Sequence, residues 1–210
     1  MLIAVLGLVL TGGGAWALAA EYGRPPTVAE IQRAQRAEVA ARWYTRTAGE
    51  VFPALTTGAE RLAVTGRGDC AVSLTPAAAT ALRQSCASVL LATYADPGQT
   101  LAANVALVVL DGHDSSALPA ELREAGAGVL PFGVPGTAAA RLAEEQVRET
   151  GVAAGGPYLV LATAAYTDAR PEHALESGVA ARFAHRLATE LAEGMTAKAD
   201  PCTLKELVTC

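Results

Sequence analysis

The first twenty positions of the chain, MLIAVLGLVLTGGGAWALAA, carry no charge, and the first ionisable side chain is Glu21. A helix of that length is about 30 Å long, matching the hydrocarbon thickness of a bilayer. Trp16 sits near one end, where an interfacial aromatic belongs. The pattern predicts a transmembrane anchor. Ala17-Leu18-Ala19 has the small-x-small form of a signal cleavage site, so a secreted, cleaved product is the alternative. No basic stretch precedes the apolar run, which favours the anchor.

Pro25-Pro26 breaks the chain, and Thr27-x-x-Glu30 is a capping box opening a helix expected to run to about Leu55, interrupted near Pro53. Residues 21–56 therefore read as a juxtamembrane stalk whose later turns pack on the domain, with Glu38 and Arg42 as an i,i+4 pair. Residues 57–210 read as the domain. Extended segments are predicted at 61–65 and 70–74 around the turn Gly66-Arg67-Gly68-Asp69. Thr75-Pro76 then starts a helix over 76–86. Residues 89–95 and 101–110 form the strongest hairpin signal, joined by Asp96-Pro97-Gly98-Gln99. The second of these runs, LAANVALVVL, is apolar on both faces, as a central, doubly covered strand must be.

A Gly/Pro-rich connection over 112–136 is expected to hold a short helix near 116–125. A helix over 138–150 and a strand over 158–166 follow. Leu175, Val179, Phe183, Leu187 and Leu191 recur every four positions, the mark of a packed helix ending at Gly194. Strand, helix, strand, strand, helix, strand is the order of a ferredoxin-like antiparallel sheet with helices packed on it, an α+β fold.

Composition narrows the function classes. Apolar residues make up 51% of the chain and charged residues 18%, which excludes intrinsic disorder. A net charge of −5 lacks the basic footprint of a nucleic-acid binder. Cys70, Cys86, Cys202 and Cys210 form no Cys-x-x-Cys pair, so no zinc or thioredoxin-type motif is written. An even set in an exported chain points to disulfides, here expected as Cys70–Cys86 and Cys202–Cys210. A helix over 76–86 running back along a strand at 70–74 would return its end to the level of Cys70. The cysteines place the domain outside the cytoplasm. The five Arg and three Glu of residues 21–46 pull the other way, because positive charge beside a span prefers the cytoplasm.

Asp111-Gly112-His113-Asp114 is the densest polar constellation, at the end of the predicted central strand. With Asp168 beyond the last strand, these side chains are the weak candidates for acid/base or metal chemistry. The alternative is a polar turn. His173 and His185 fall on the last helix at surface positions, with no His-x-x-x-His pair. Gly-x-Ser-x-Gly and a phosphate-binding Gly loop are absent, and Pro131 stands where a dinucleotide fingerprint starting at Gly126 needs its third Gly. No coherent catalytic set, cofactor motif or metal set emerges. Arg67-Gly68-Asp69 is the adhesion tripeptide but also ordinary turn chemistry. Val129, Leu130, Phe132 and Val134 make an apolar loop that either docks a partner or folds over the sheet.

The N-terminal apolar segment, Arg42-Trp43-Tyr44-Thr45-Arg46-Thr47-Ala48-Gly49, Tyr94-Ala95-Asp96-Pro97-Gly98, Gly156-Pro157-Tyr158-Leu159-Val160 and the closing Pro201-Cys202 with Cys210 occur together. This arrangement resembles the uncharacterised single-pass, membrane-anchored extracytoplasmic proteins of high-GC Gram-positive bacteria. The resemblance covers most of the chain; it implies a location and assigns no activity. The expectation is a non-enzymatic domain, held to the membrane through residues 1–20, that binds a protein or cell-envelope partner. The alternatives are an envelope hydrolase or metal-dependent enzyme built on Asp111, His113, Asp114 and Asp168, and a small-ligand domain with a closed apolar cavity under residues 112–136.

Overall fold

A computed structural model describes residues 25–112, 115–142, 148–168 and 178–198. Among these, no helix is long and apolar enough to cross a membrane; the expected anchor at 1–20 lies outside them, as do His113, Asp114, His173, Leu175 and the expected Cys202–Cys210 bridge. Residues 25–37 belong to one compact unit and 38–198 to another.

Helix α1 (Val28–Thr45) opens with the capping box read from the sequence: Glu30 accepts from the Thr27 backbone N–H at 2.7 Å, and Thr27 Oγ1 accepts from the Glu30 N–H at 3.3 Å. It stops at Thr45, earlier than expected. Thr47 and Glu50 form a second capping box that starts the short α2 (Ala48–Val51).

A six-stranded antiparallel sheet of order β1-β2-β3-β4-β6-β5 follows, made of β1 (Leu55–Thr56), β2 (Ala59–Gly68), β3 (Cys86–Ala95), β4 (Leu101–Leu110), β5 (Glu149–Gly155) and β6 (Tyr158–Tyr166). The β3–β4 hairpin forms as expected, with Ala95 opposite Ala102. Asp96 shapes its turn by accepting from the Leu101 N–H at 2.6 Å. Every residue of β4 and of β6 is buried. Alternate side chains of these strands enter two cores. On one face Ala103, Val105, Leu107, Val160 and Ala162 meet Phe183, Leu187 and Leu191 of α6 (Val179–Thr196). On the other, Ala106, Val108, Leu159 and Leu161 meet Leu74, Ala78, Leu82, Leu122 and Val129.

Three expectations are corrected. Residues 70–74 are not a strand: β2 runs on to Gly68 through two bulges, and Asp69 then caps the helical turn α3 (Cys70–Ser73) by accepting from the Ala71 N–H at 2.7 Å. Helix α4 (Pro76–Ala81) follows. The described parts of the stretch 138–150 do not form the expected helix. A short 3₁₀ turn covers Ala138–Arg141, and the segment's end belongs to β5, which pairs with the otherwise unpaired outer side of β6. Tertiary pairing overrides the helical propensity of its Ala and Glu. The strand order is also not ferredoxin-like. That topology sends both helical connections across an intervening strand, but the connection through α3 and α4 returns to the neighbouring strand β3. Only the second half keeps the split arrangement: β4, a connection holding α5 (Leu118–Glu124), and β5 parallel to β4 with β6 between them. In addition, α6 continues through Gly194 to Thr196, past the expected stop.

The α6–β5 contact is tight because Gly151 has no side chain. A Cβ there would overlap the Ala184 carbonyl and the His185 nitrogen, which are helix backbone and cannot swing aside. Gly151→Val is therefore expected to destabilise the protein by about 3 kcal/mol or more, as overpacking against an immovable wall does. Gly133→Ala, which meets the Ala140 backbone only at 3.4 Å, should cost far less. Thermal melts of the two variants check this.

Candidate functional site: the groove beside the Cys70–Cys86 disulfide

Cys70 begins α3 and Cys86 begins β3, and the two form a disulfide with Cα atoms 6.5 Å apart. The expected pairing is correct, although the geometry behind it differs: the bridge ties a helical turn to a strand, closing over α4 instead of along a strand at 70–74. It closes a loop of 16 residues of separation, which constrains the unfolded chain by about 3 kcal/mol on the chain-entropy view.

Around this bridge opens a groove of about 700 Å³. Its floor is apolar, from Leu74, Pro76 and Leu130, and its rim carries Asp69, Arg83, Thr80 and Ser88. Val72, 72% exposed, stands on the same helical turn as Cys70. Opposite charges on the rim and a small apolar floor suit a short extended segment with polar and apolar groups. The lining holds no His and no thiol outside the disulfide. Among the described residues, no group of three or more His, Cys, Asp or Glu is placed to hold a metal ion.

The loop beyond α5 forms one wall. Leu130 N–H donates to the Ser73 carbonyl at 3.0 Å, and Thr75 N–H to the Gly128 carbonyl at 3.0 Å. Val129 is fully buried, and its N–H donates to Thr163 Oγ1 at 2.8 Å. The sequence's one Asn, Asn104, is buried on β4. With its amide nitrogen toward the Phe132 carbonyl (3.2 Å) and its oxygen toward the Phe132 N–H (2.9 Å), it satisfies both backbone groups. The loop therefore folds over the sheet, and the space beneath it is filled by Leu122, Ala127 and Val129.

Of the remaining candidates, Asp111 and Asp168 do not come together; His113 and Asp114 lie outside the described residues. Asp111 follows the end of β4, where its N–H donates to the Ser85 carbonyl at 2.8 Å. Asp168 follows the end of β6, and because β6 is antiparallel to β4, Tyr166 lies opposite Leu101 at the far end. The two carboxylates sit at opposite ends of the sheet, about 30 Å apart at 3.4 Å per strand residue. An active site using Asp111 and Asp168 together is ruled out by that placement. His185 is exposed on α6, as expected. Arg67 and Asp69 are both engaged: the Arg67 guanidinium lies 4.6 Å from the Trp43 ring centre, and Asp69 caps α3.

Sequence reasoning missed what the 42–49 run does. Arg42 is 2% exposed. It binds Glu38 through Nε at 2.9 Å and Nη2 at 2.6 Å, and its Nη1 donates to the Met195 carbonyl at 2.9 Å, at the C-terminal end of α6 where carbonyls lack helical partners. Beside it, Tyr158 Oη donates to the Val39 carbonyl at 2.5 Å and accepts from the Trp43 N–H at 3.3 Å. The i,i+4 spacing of Glu38 and Arg42 was visible; the third partner, 153 residues away, was not.

Compared with protein-family models, curated proteins and solved structures, the chain matches none.

Burial raises the pKa of the Tyr158 hydroxyl, against the opposing pull of the Trp43 N–H and of Arg42 and Arg46. Burial also raises that of Tyr94, whose Oη donates to the Pro53 carbonyl at 2.9 Å. A phenol raised in the folded state holds its proton after the unfolded chain has lost it. Its stabilisation is complete below about pH 10 and is lost as pH climbs through the folded value. Urea midpoints should stay flat from pH 7 to about pH 9 and fall above about pH 10, and Tyr94→Phe should reduce that fall. At neutral pH, Tyr158→Phe should cost about 1 kcal/mol, through loss of the hydroxyl's bond to the Val39 carbonyl, which keeps its place in α1.

Proposed function

We propose that this chain is a membrane-tethered extracytoplasmic domain that binds a protein or cell-envelope partner and performs no chemistry on it. The observation that carries the reading is the Cys70–Cys86 disulfide, since such bridges form and persist in oxidising compartments. The apolar run 1–20 supplies a tether of membrane-spanning length. The resemblance to anchored extracytoplasmic proteins of high-GC Gram-positive bacteria points the same way. The groove beside the disulfide, with its apolar floor and the Asp69 and Arg83 rim, is the surface offered to the partner. A binding role agrees with the separation of Asp111 from Asp168.

The test is thiol accessibility in intact cells, using a membrane-impermeant maleimide with and without prior reduction. Labelling that appears only after reduction is expected, and a Cys70→Ser/Cys86→Ser double variant should remove the part of it due to this bridge. Thiols that react without reduction, and only after the cells are broken open, would put the domain in the cytoplasm and overturn the reading. The same double variant should lower stability by about 3 kcal/mol in vitro.

A further inference from the structure

The groove beside the disulfide carries polar groups that the fold does not use. Arg83 is exposed on the turn between α4 and β3, and among the described residues its guanidinium makes no hydrogen bond or ion pair. The Thr80 and Ser88 hydroxyls, which line the same groove, are also without a partner there. Asp69, on the same rim, is already engaged as the cap of α3. The one uncommitted charge that the groove presents is therefore positive. Below it, Leu74 and Leu130 are the large apolar side chains of the floor, and the short side chains of Pro76 and Ala79 leave room between them. The walls are fixed before anything binds. The Cys70–Cys86 bridge ties α3 to β3, and the Leu130 N–H holds the Ser73 carbonyl at 3.0 Å. A ligand entering such a groove spends little on ordering it.

We infer that the groove takes an extended acidic peptide segment of the partner, with a side-chain carboxylate on Arg83 and small apolar side chains on the floor. The inference rests on the reading of this groove as the partner surface and names what that partner presents. Charge selects the carboxylate. A guanidinium pairs with a carboxylate through two parallel hydrogen bonds, and the Thr80 and Ser88 hydroxyls add donors beside it. The floor selects the rest of the ligand. An open groove lined by short side chains does not enclose an alkyl chain, and a lining without an aromatic residue has no face on which a ring can stack. An extended peptide meets the same surface well. Its side chains alternate, so two small apolar residues reach the floor while the acidic residue between them turns toward the rim. A rim pair of this kind contributes more to the choice of partner than to raw affinity.

The experiment uses the full-length chain in non-ionic detergent with its disulfide intact. Peptides of the form acetyl-Ala-x-Glu-x-Ala-amide, with x as Ala, Val or Leu, are titrated to about 1 mM and followed by calorimetry, beside counterparts with Gln in place of Glu. We expect at least one Glu peptide to bind about fivefold tighter than its Gln counterpart, with the difference shrinking as salt is raised. Arg83→Gln should abolish that preference without moving the thermal melt, because the side chain holds nothing in the fold. Arg83→Lys should keep part of it, since the charge stays and the fork is lost. Failure of every Glu peptide to bind, equal binding of Glu and Gln peptides, or a preference that survives Arg83→Gln would overturn the proposal. So would a dimer of the chain that Arg83→Gln disperses, which would put a second copy in the groove. None of these outcomes changes thiol labelling in cells, so this inference and the compartment reading fail separately.

Discussion

A strand with no exposed residue is the constraint on which the architecture depends. All ten residues of β4 are buried, and its side chains alternate between two cores. A sheet built around such a strand needs cover on both faces, and the chain supplies it unequally. One face receives α6, a long amphipathic helix. The other receives several short pieces: α3, α4, α5 and the loop through Val129. Short pieces bury little each and bring many backbone polar groups close to the sheet. That is why this face uses Thr163, Thr75, Asn104 and the Cys70–Cys86 bridge to hold its cover in place.

The same division explains where the molecule is open. Beneath α6, contact is close enough to require Gly151, and Arg42 closes the end of that layer by binding the Met195 carbonyl. On the opposite face, the joints between short elements leave the groove at the disulfide. The covalent bond and the groove have a common origin: α3 and α4 are too short to be held by burial alone.

Much of the fold was legible in the residues. The bounds of β4 and β6, the β3–β4 turn, the capping box at Thr27 and the apolar stripe of α6 all rest on local patterns that few other structures satisfy. The failures share a cause. The stretch 138–150 has helical residues, but its end is claimed by an unpaired side of β6. Cys70 to Leu74 looks extended until Asp69 caps a turn. The ferredoxin-like order rested on counting elements, and a count does not say which strand lies beside which.

The candidate site divides along the same line. Sequence alone determined that Cys70 and Cys86 could pair and that the apolar residues of 129–134 would either fold over the sheet or dock a partner. Each of these depends on residue identity and short spacing, which act locally. Only the tertiary structure decided that Asp111 and Asp168 stand at opposite ends of the sheet, that Arg42 reaches Met195, and that residues 149–155 pair as a strand with the open side of β6. Those are relations between positions far apart in the chain, settled by strand direction and by which edge of a buried strand still lacks a hydrogen-bonding neighbour.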